Sequence, residues 1–177
     1  MTDVSFLDLW LPILAAGLAT HVLSTIAWVA LPHHKPEWNH LPLTGTVGEA
    51  IRSEGLRDGE QYVLTDADAG DPDPAKCRGM LILWRHTPSM GANIGMTLTF
   101  FVVAAAAIGY LASMAFPAGA PSIDVFRFTA TAGLLTYAAA GTPTLIWFRR
   151  KWLMDLLDGV AYALATGAAF ALLWPAG

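Results

Sequence analysis

Charge is scarce in this chain, and cysteine is scarcer. Asp, Glu, Lys and Arg together make up 14% of the 177 residues, against 55% hydrophobic residues, and the mean hydropathy is +0.48. That balance excludes an ordinary soluble domain and points to a membrane protein. The single cysteine, Cys77, excludes an internal disulfide and any cysteine-based zinc motif. Beyond His86 there is no histidine, so bis-histidine haem ligation across a bundle would need a second chain, and no haem is expected. A nucleophile beside its base, or paired carboxylates in a cleft, is also missing, which argues against an enzyme.

What is present is a series of long apolar runs. Four of them, Phe6–Leu31, Asn93–Phe116, Val125–Phe148 and Trp152–Trp174, each reach the roughly 20 helical residues that cross a hydrocarbon core. The expected fold is therefore an all-α membrane protein with four transmembrane helices. The first run reads as a retained helix and not a secretory signal: Asp3 and Asp8 precede or enter it without a Lys or Arg, and no small-x-small cleavage pattern follows.

Basic residues set the expected orientation. Lys35 and Arg85 flank residues 32–92, Arg52, Arg57, Lys76 and Arg78 lie within them, and Arg149, Arg150 and Lys151 fill the last connection, leaving Arg127 for the opposite side. By the positive-inside rule both termini are periplasmic and residues 32–92 cytoplasmic, in a bacterial inner membrane. The aromatic belts agree: Trp10, Tyr110 and Trp174 fall at the outer ends, and Trp28, Trp84, Trp147 and Trp152 at the inner ends.

The cytoplasmic segment is too short to bury a sizeable core alone. Thr46 with Glu49 three residues later has capping-box spacing, and Gly55 is a stop signal, so a short helix is expected between them. "EQYVLT" and "GMLILW" read as the strands of a small hairpin. Between them Asp66, Asp68, Asp71 and Asp73 lie in a Pro- and Gly-rich loop that lacks the EF-hand ligand order, and they read as a solvated acidic loop.

"LPHHKPEWNHLP", Leu31 to Pro42, places His33, His34 and His40 just past the first run. With His86 and Cys77 these residues have the chemistry of a zinc or copper site. Pro32, Pro36 and Pro42, however, break the helical spacing that would gather ligands on one face, and adjacent side chains are expected to diverge. The segment is read as a membrane boundary, with Pro32 ending the helix, and no metal is expected there.

Polar groups inside the runs are the stronger functional candidates. His21 lies near mid-membrane, and Tyr162 lies at a matching depth in the last run. Asp155, Asp158, Tyr162 and Thr166 share one helical stripe. A His21–Tyr162–Asp158 path for protons or ligand is the functional reading; hydrogen bonds that glue helices together are the favoured structural one. Arg127 is expected to pair with Asp124, Asp3 or Asp8. Gly141 and Pro143 predict a kink in the third run. Small residues at Gly159, Ala163, Gly167 and Ala171, and the pair Gly91 and Gly95, predict close helix contacts.

The first run leading into "LPHHK", then "TPSMG", "FRF" and "IWFRRKW…LDGVAYALATGAAFALLWP", resembles a family of small bacterial integral membrane proteins with four predicted helices and no assigned activity. The resemblance implies a cytoplasmic-membrane location and carries over no catalytic residue. The expected function is that of a non-enzymatic accessory or scaffold subunit of a larger inner-membrane complex, with the lipid bilayer and other membrane subunits or a second copy as partners and no nucleic acid. The alternative is a small proton, metal or solute transporter working through His21, Asp158 and Tyr162.

Overall fold

Apolar side chains cover so much of this chain that helices, whose backbone groups satisfy one another, are the economical way to bury or immerse them. The computed structural model describes residues 3–39, 45–64, 79–148 and 151–177. It is mostly helical with one small two-stranded sheet, and it divides into a first unit, residues 1–37 and 93–177, and a second unit, residues 38–92. Three helical stretches, Phe6–Ala30, Met90–Ala115 and Leu153–Leu173, are long and apolar enough to cross a membrane.

The first stretch begins on a 3-10 turn, Phe6–Leu9, closed by a capping box in which Ser5 Oγ accepts from Leu7 N–H and Asp8 Oδ2 accepts from Ser5 N–H. It continues as α1, Trp10–Thr25, and ends in a π turn, Ile26–Ala30. Leu31, preceding Pro32, is extended (φ −86°, ψ 141°), because the proline ring clashes with a helical neighbour. Pro32 thus ends the helix as its position predicts, and a 3-10 turn follows at Lys35–Glu37.

In the second unit α2 spans Thr46–Ser53. Thr46 is its first helical residue and not its cap: Gly45, at φ 111°, occupies the cap position and no side chain bonds the first turn, so the expected Thr46–Glu49 capping box does not form. Gly55 does stop the helix, at φ 66°. Strands β1, Gln61–Leu64, and β2, Gly79–Ile82, form the anticipated antiparallel hairpin, with Gln61 opposite Ile82 and Leu64 opposite Gly79. Two bonds beyond the strands, Gly59 N–H to the Leu83 carbonyl and Leu83 N–H to the Glu60 carbonyl, lengthen the ladder. The acidic loop with Asp66, Asp68, Asp71 and Asp73, together with Cys77, lies outside the described residues.

Helix α3 covers Met90–Ala115, α4 Ser122–Leu134, α5 Thr142–Phe148 and α6 Leu153–Leu173. The third apolar run is interrupted, as Gly141 and Pro143 predict: α4 passes into a π turn at Leu135–Ala139, turns at Ala140 and Gly141, and restarts as α5. In the first unit the core is built from Leu9, Ile13 and Ala16, Ala105 and Ile108, Val125 and Phe170. The buried Thr20 and Thr129 donate to the Ala16 and Val125 carbonyls of their own helices. Trp174 Nε1 donates to the Pro117 carbonyl and Gly119 N–H to that of Pro175, so the end of α6 is tied to the α3–α4 turn.

The small-residue ridge of α6 meets the third run of the same chain. A Cβ at Gly167 would come within 2.7 Å of Ala130 Cβ, and one at Gly159 within 2.8 Å of the Tyr137 carbonyl oxygen. A Cβ at Gly133 would come within 3.0 Å of Ala163 Cα. Glycine is required there for backbone proximity. Replacing Gly167 by Leu should cost about 1–3 kcal/mol of stability through overpacking. Leu172→Ala, at an 82% exposed position, should change it by less than about 0.5 kcal/mol. Unfolding of the two variants in detergent checks the difference.

Candidate functional site

Pro32 turns the chain at the end of the first helical stretch, and the following 3-10 turn folds back over the first turns of α6. This reversal delivers two histidines to one carboxylate. His33 Nε2 lies 3.1 Å from Asp158 Oδ1 and His34 Nε2 lies 3.0 Å from Asp158 Oδ2. The other nitrogen of His34, Nδ1, lies 2.6 Å from Glu37 Oε2, one turn along the same segment. The expectation that adjacent histidines diverge does not hold. Outside a regular helix or strand, the two rings are free to tilt toward a shared acceptor, and they sit 4.3 Å apart at 41°.

Packing holds this arrangement. His34 is 4% exposed, and the Trp28 ring stacks on it at 3.9 Å with an interplanar angle of 10°. Trp28 comes from the π turn, whose extra residue per turn redirects the end of the helix. Lys151 donates its ammonium to the Pro36 carbonyl, fastening the 3-10 turn beside the start of α6. Burial disfavours the charged His34 ring, but hydrogen bonds and charge from Glu37 and Asp158 outweigh it, and the pKa is raised above 6.5.

Asp158 is a hub, since the Tyr162 hydroxyl donates to its Oδ2 at 3.4 Å. The predicted stripe of Asp155, Asp158, Tyr162 and Thr166 does turn inward, and Thr166 meets Thr20 of α1 at 3.4 Å between hydroxyl oxygens. The His21 ring touches Phe101 edge-on, Phe101 touches Tyr162 in the same way, and among the described residues His21 Nδ1 is buried without a hydrogen-bond partner. Of the expected His21–Tyr162–Asp158 group, Tyr162 and Asp158 are in contact, and Phe101 stands between His21 and Tyr162 where Phe101, Tyr137 and Tyr162 pack edge to face.

Arg127 pairs with Asp124 at 3.8 Å, with both side chains well exposed. Such a pair contributes little in water. His86 is exposed in the second unit, and His40 lies outside the described residues, as do Arg149 and Arg150. Among the described residues, two groups bring three potential metal-ligand atoms within 4.8 Å of one another: His33, His34 and Asp158, and His34, Glu37 and Asp155. Glu37 had no part in the sequence reading. Its signal was its place three residues after His34, ready to meet the ring once Pro36 enters a 3-10 turn.

A cavity of about 540 Å³ borders the cluster on one side, lined by Tyr137, Gly141 and Thr142 of the interrupted run and by Trp152 and Asp155. A second, of about 480 Å³, lies against His33, Glu37 and Lys151. Comparison with protein-family models, with curated proteins and with solved structures finds no match to this chain.

Asp158→Asn preserves shape but removes the charge that both histidines and Tyr162 share. It should lower stability by about 1–3 kcal/mol, the cost of leaving part-buried groups poorly matched. Asp124→Asn, at the exposed pair with Arg127, should cost less than about 0.5 kcal/mol. Parallel denaturation in one detergent checks the ranking.

Proposed function

We propose that the chain is a non-enzymatic four-helix protein of the bacterial cytoplasmic membrane, with both termini periplasmic, that serves as an accessory or scaffold subunit of a larger membrane assembly. The observation that carries this reading is a contrast between its small-residue ridges. Gly159 and Gly167 on α6 are filled by the third run of the same chain, whereas Gly91 and Gly95 on α3 have no neighbouring atom within 4 Å of a would-be Cβ among the described residues. A GxxxG face left open in this way suits a helix from another chain, since small residues let backbones approach in a bilayer. Large apolar side chains near it, including Met96, Phe100 and Val103, are also exposed.

Four spans are supported by the three long apolar helices together with α4 and α5, which form a broken helical path of comparable length. Broken helices are tolerated within membranes where neighbouring helices shield the freed backbone groups. Exposed Trp10 and Tyr110 at one set of helix ends, and Trp28, Trp147 and Trp152 at the other, fit two interfacial belts. The transporter alternative through His21, Asp158 and Tyr162 draws on the Asp158–Tyr162 contact, but the edge-packed aromatic rings favour a closed core over a wet path.

Orientation is tested with a membrane-impermeant thiol reagent on single cysteines placed in a Cys77→Ser background. Ala176→Cys should react in intact spheroplasts, and Ser89→Cys only after permeabilisation; the reverse pattern would overturn the assigned sidedness. For the scaffold role, purification in mild detergent with mass spectrometry should recover a stoichiometric membrane partner. Gly95→Leu should release that partner while leaving the chain folded. A homogeneous, partner-free protein would sink the accessory reading.

A further inference from the structure

We propose that His33, His34 and Asp158 form a divalent transition-metal site, of a kind suited to zinc, with Glu37 as the outer carboxylate that orients His34. Imidazole and carboxylate are the donor set such an ion takes, and bonds of about 2.0–2.1 Å in a tetrahedral site place neighbouring ligand atoms about 3.3 Å apart. The two imidazole-to-carboxylate distances, 3.1 and 3.0 Å, already match that spacing. One potential ligand atom from each of the three residues lies within 4.8 Å of the other two. Only a small closure would seat an ion between them.

The surroundings have the organisation that metal sites use. Glu37 accepts from His34 Nδ1 at 2.6 Å, which holds the ring with Nε2 facing Asp158, so that a metal displacing the Nε2 proton would meet a lone pair already aimed at the site, the role outer carboxylates have for metal-bound histidines. Trp28 stacks on the ring and prevents it from swinging away. The His34 side chain is 5% exposed and that of Asp158 14%, whereas that of His33 is 23% exposed and borders the cavity lined by Glu37 and Lys151. The interior ligands are fixed, and the outer one faces a route by which an ion can arrive.

Electrostatics point the same way. Glu37, Asp155 and Asp158 bring three carboxylates to this end of the first unit, and Asp155 falls within ligand distance of His34 and Glu37. A divalent cation would offset that charge where water is partly excluded. Three protein ligands leave a fourth position for water or a further donor.

Full-length protein in detergent, stripped with a chelator, should bind one equivalent of Zn2+ per chain by calorimetry. Co2+ should give the intense visible bands of a four-coordinate site. His34→Ala and Asp158→Asn should each weaken Zn2+ binding at least about 10-fold, and Glu37→Gln about 10-fold. His86→Ala should leave binding unchanged. Helicity by circular dichroism and elution volume identify any variant that fails to fold. In that case His33→Ala, at the most exposed of the three ligands, carries the test, again with at least about a 10-fold loss expected. No Zn2+ binding by the wild-type chain would overturn the site, as would wild-type affinity in the folded His33→Ala or His34→Ala variants. Neither result bears on whether the protein docks on a membrane partner.

Discussion

The close approach of α6 to the third apolar run is the contact on which the rest of the first unit depends. Glycines at 159 and 167 on α6, and at 133 on α4, remove the side chains that would hold these helices apart, and Ala130, Ala138 and Ala163 fill the contact. Such proximity gives the dispersion contacts that hold apolar helices together. It also fixes the rotation of α6. With Gly159 turned against Tyr137 and Ala138, neighbouring Asp158 faces the segment that leaves the first helix, while Tyr162 and Thr166, on the same stripe, face inward. Packing at a glycine thereby decides where a carboxylate stands.

The second constraint comes from proline. Pro32 forces Leu31 into an extended conformation and ends the first helix, so the histidines that follow are released from helical geometry and can fold over α6. The π turn at Ile26–Ala30 places Trp28 where its ring covers His34. Helix termination, aromatic shielding and carboxylate placement therefore meet within one small volume. At the opposite end, the bonds of Trp174 and Gly119 tie the end of α6 to the α3–α4 turn, so α6 is anchored at both of its ends.

Much of the fold could be read from one-dimensional pattern, because apolar length, the Gly141–Pro143 break and the β-prone hairpin runs are local signals. The Thr46 cap failed because Gly45, with its left-handed backbone, takes the position that Thr46 was expected to hold. The site was half legible. Asp158 and Tyr162 stood out as costly polar groups in an apolar run, and His33 and His34 as a cluster, but 124 residues separate His34 from Asp158. No spacing rule links them. Proline is an obstacle to gathering ligands on one helix face, but here its effect is to free the histidines for a partner on another helix.

That reversal changes the meaning of the boundary segment. A histidine pair in interfacial water has little cost and little consequence. The same pair buried against carboxylates requires compensation, since charges removed from water are retained only where partners satisfy them. Here the compensation is reciprocal: Asp158 accepts from both rings and from Tyr162, and Glu37 takes the remaining nitrogen of His34. These contacts join the first helical stretch to the start of α6 at the level where each emerges from its apolar run, so the end of one apolar helix and the beginning of another form a structural joint. His21, earlier in the first helical stretch, meets Phe101 in ring contact, and among the described residues its buried Nδ1 has no hydrogen-bond partner. Among the described residues the contacts of His33, His34, Glu37 and Asp158 therefore lie where the first helical stretch ends and α6 begins, and the edge-to-face packing of Phe101, Tyr137 and Tyr162 lies farther along α6.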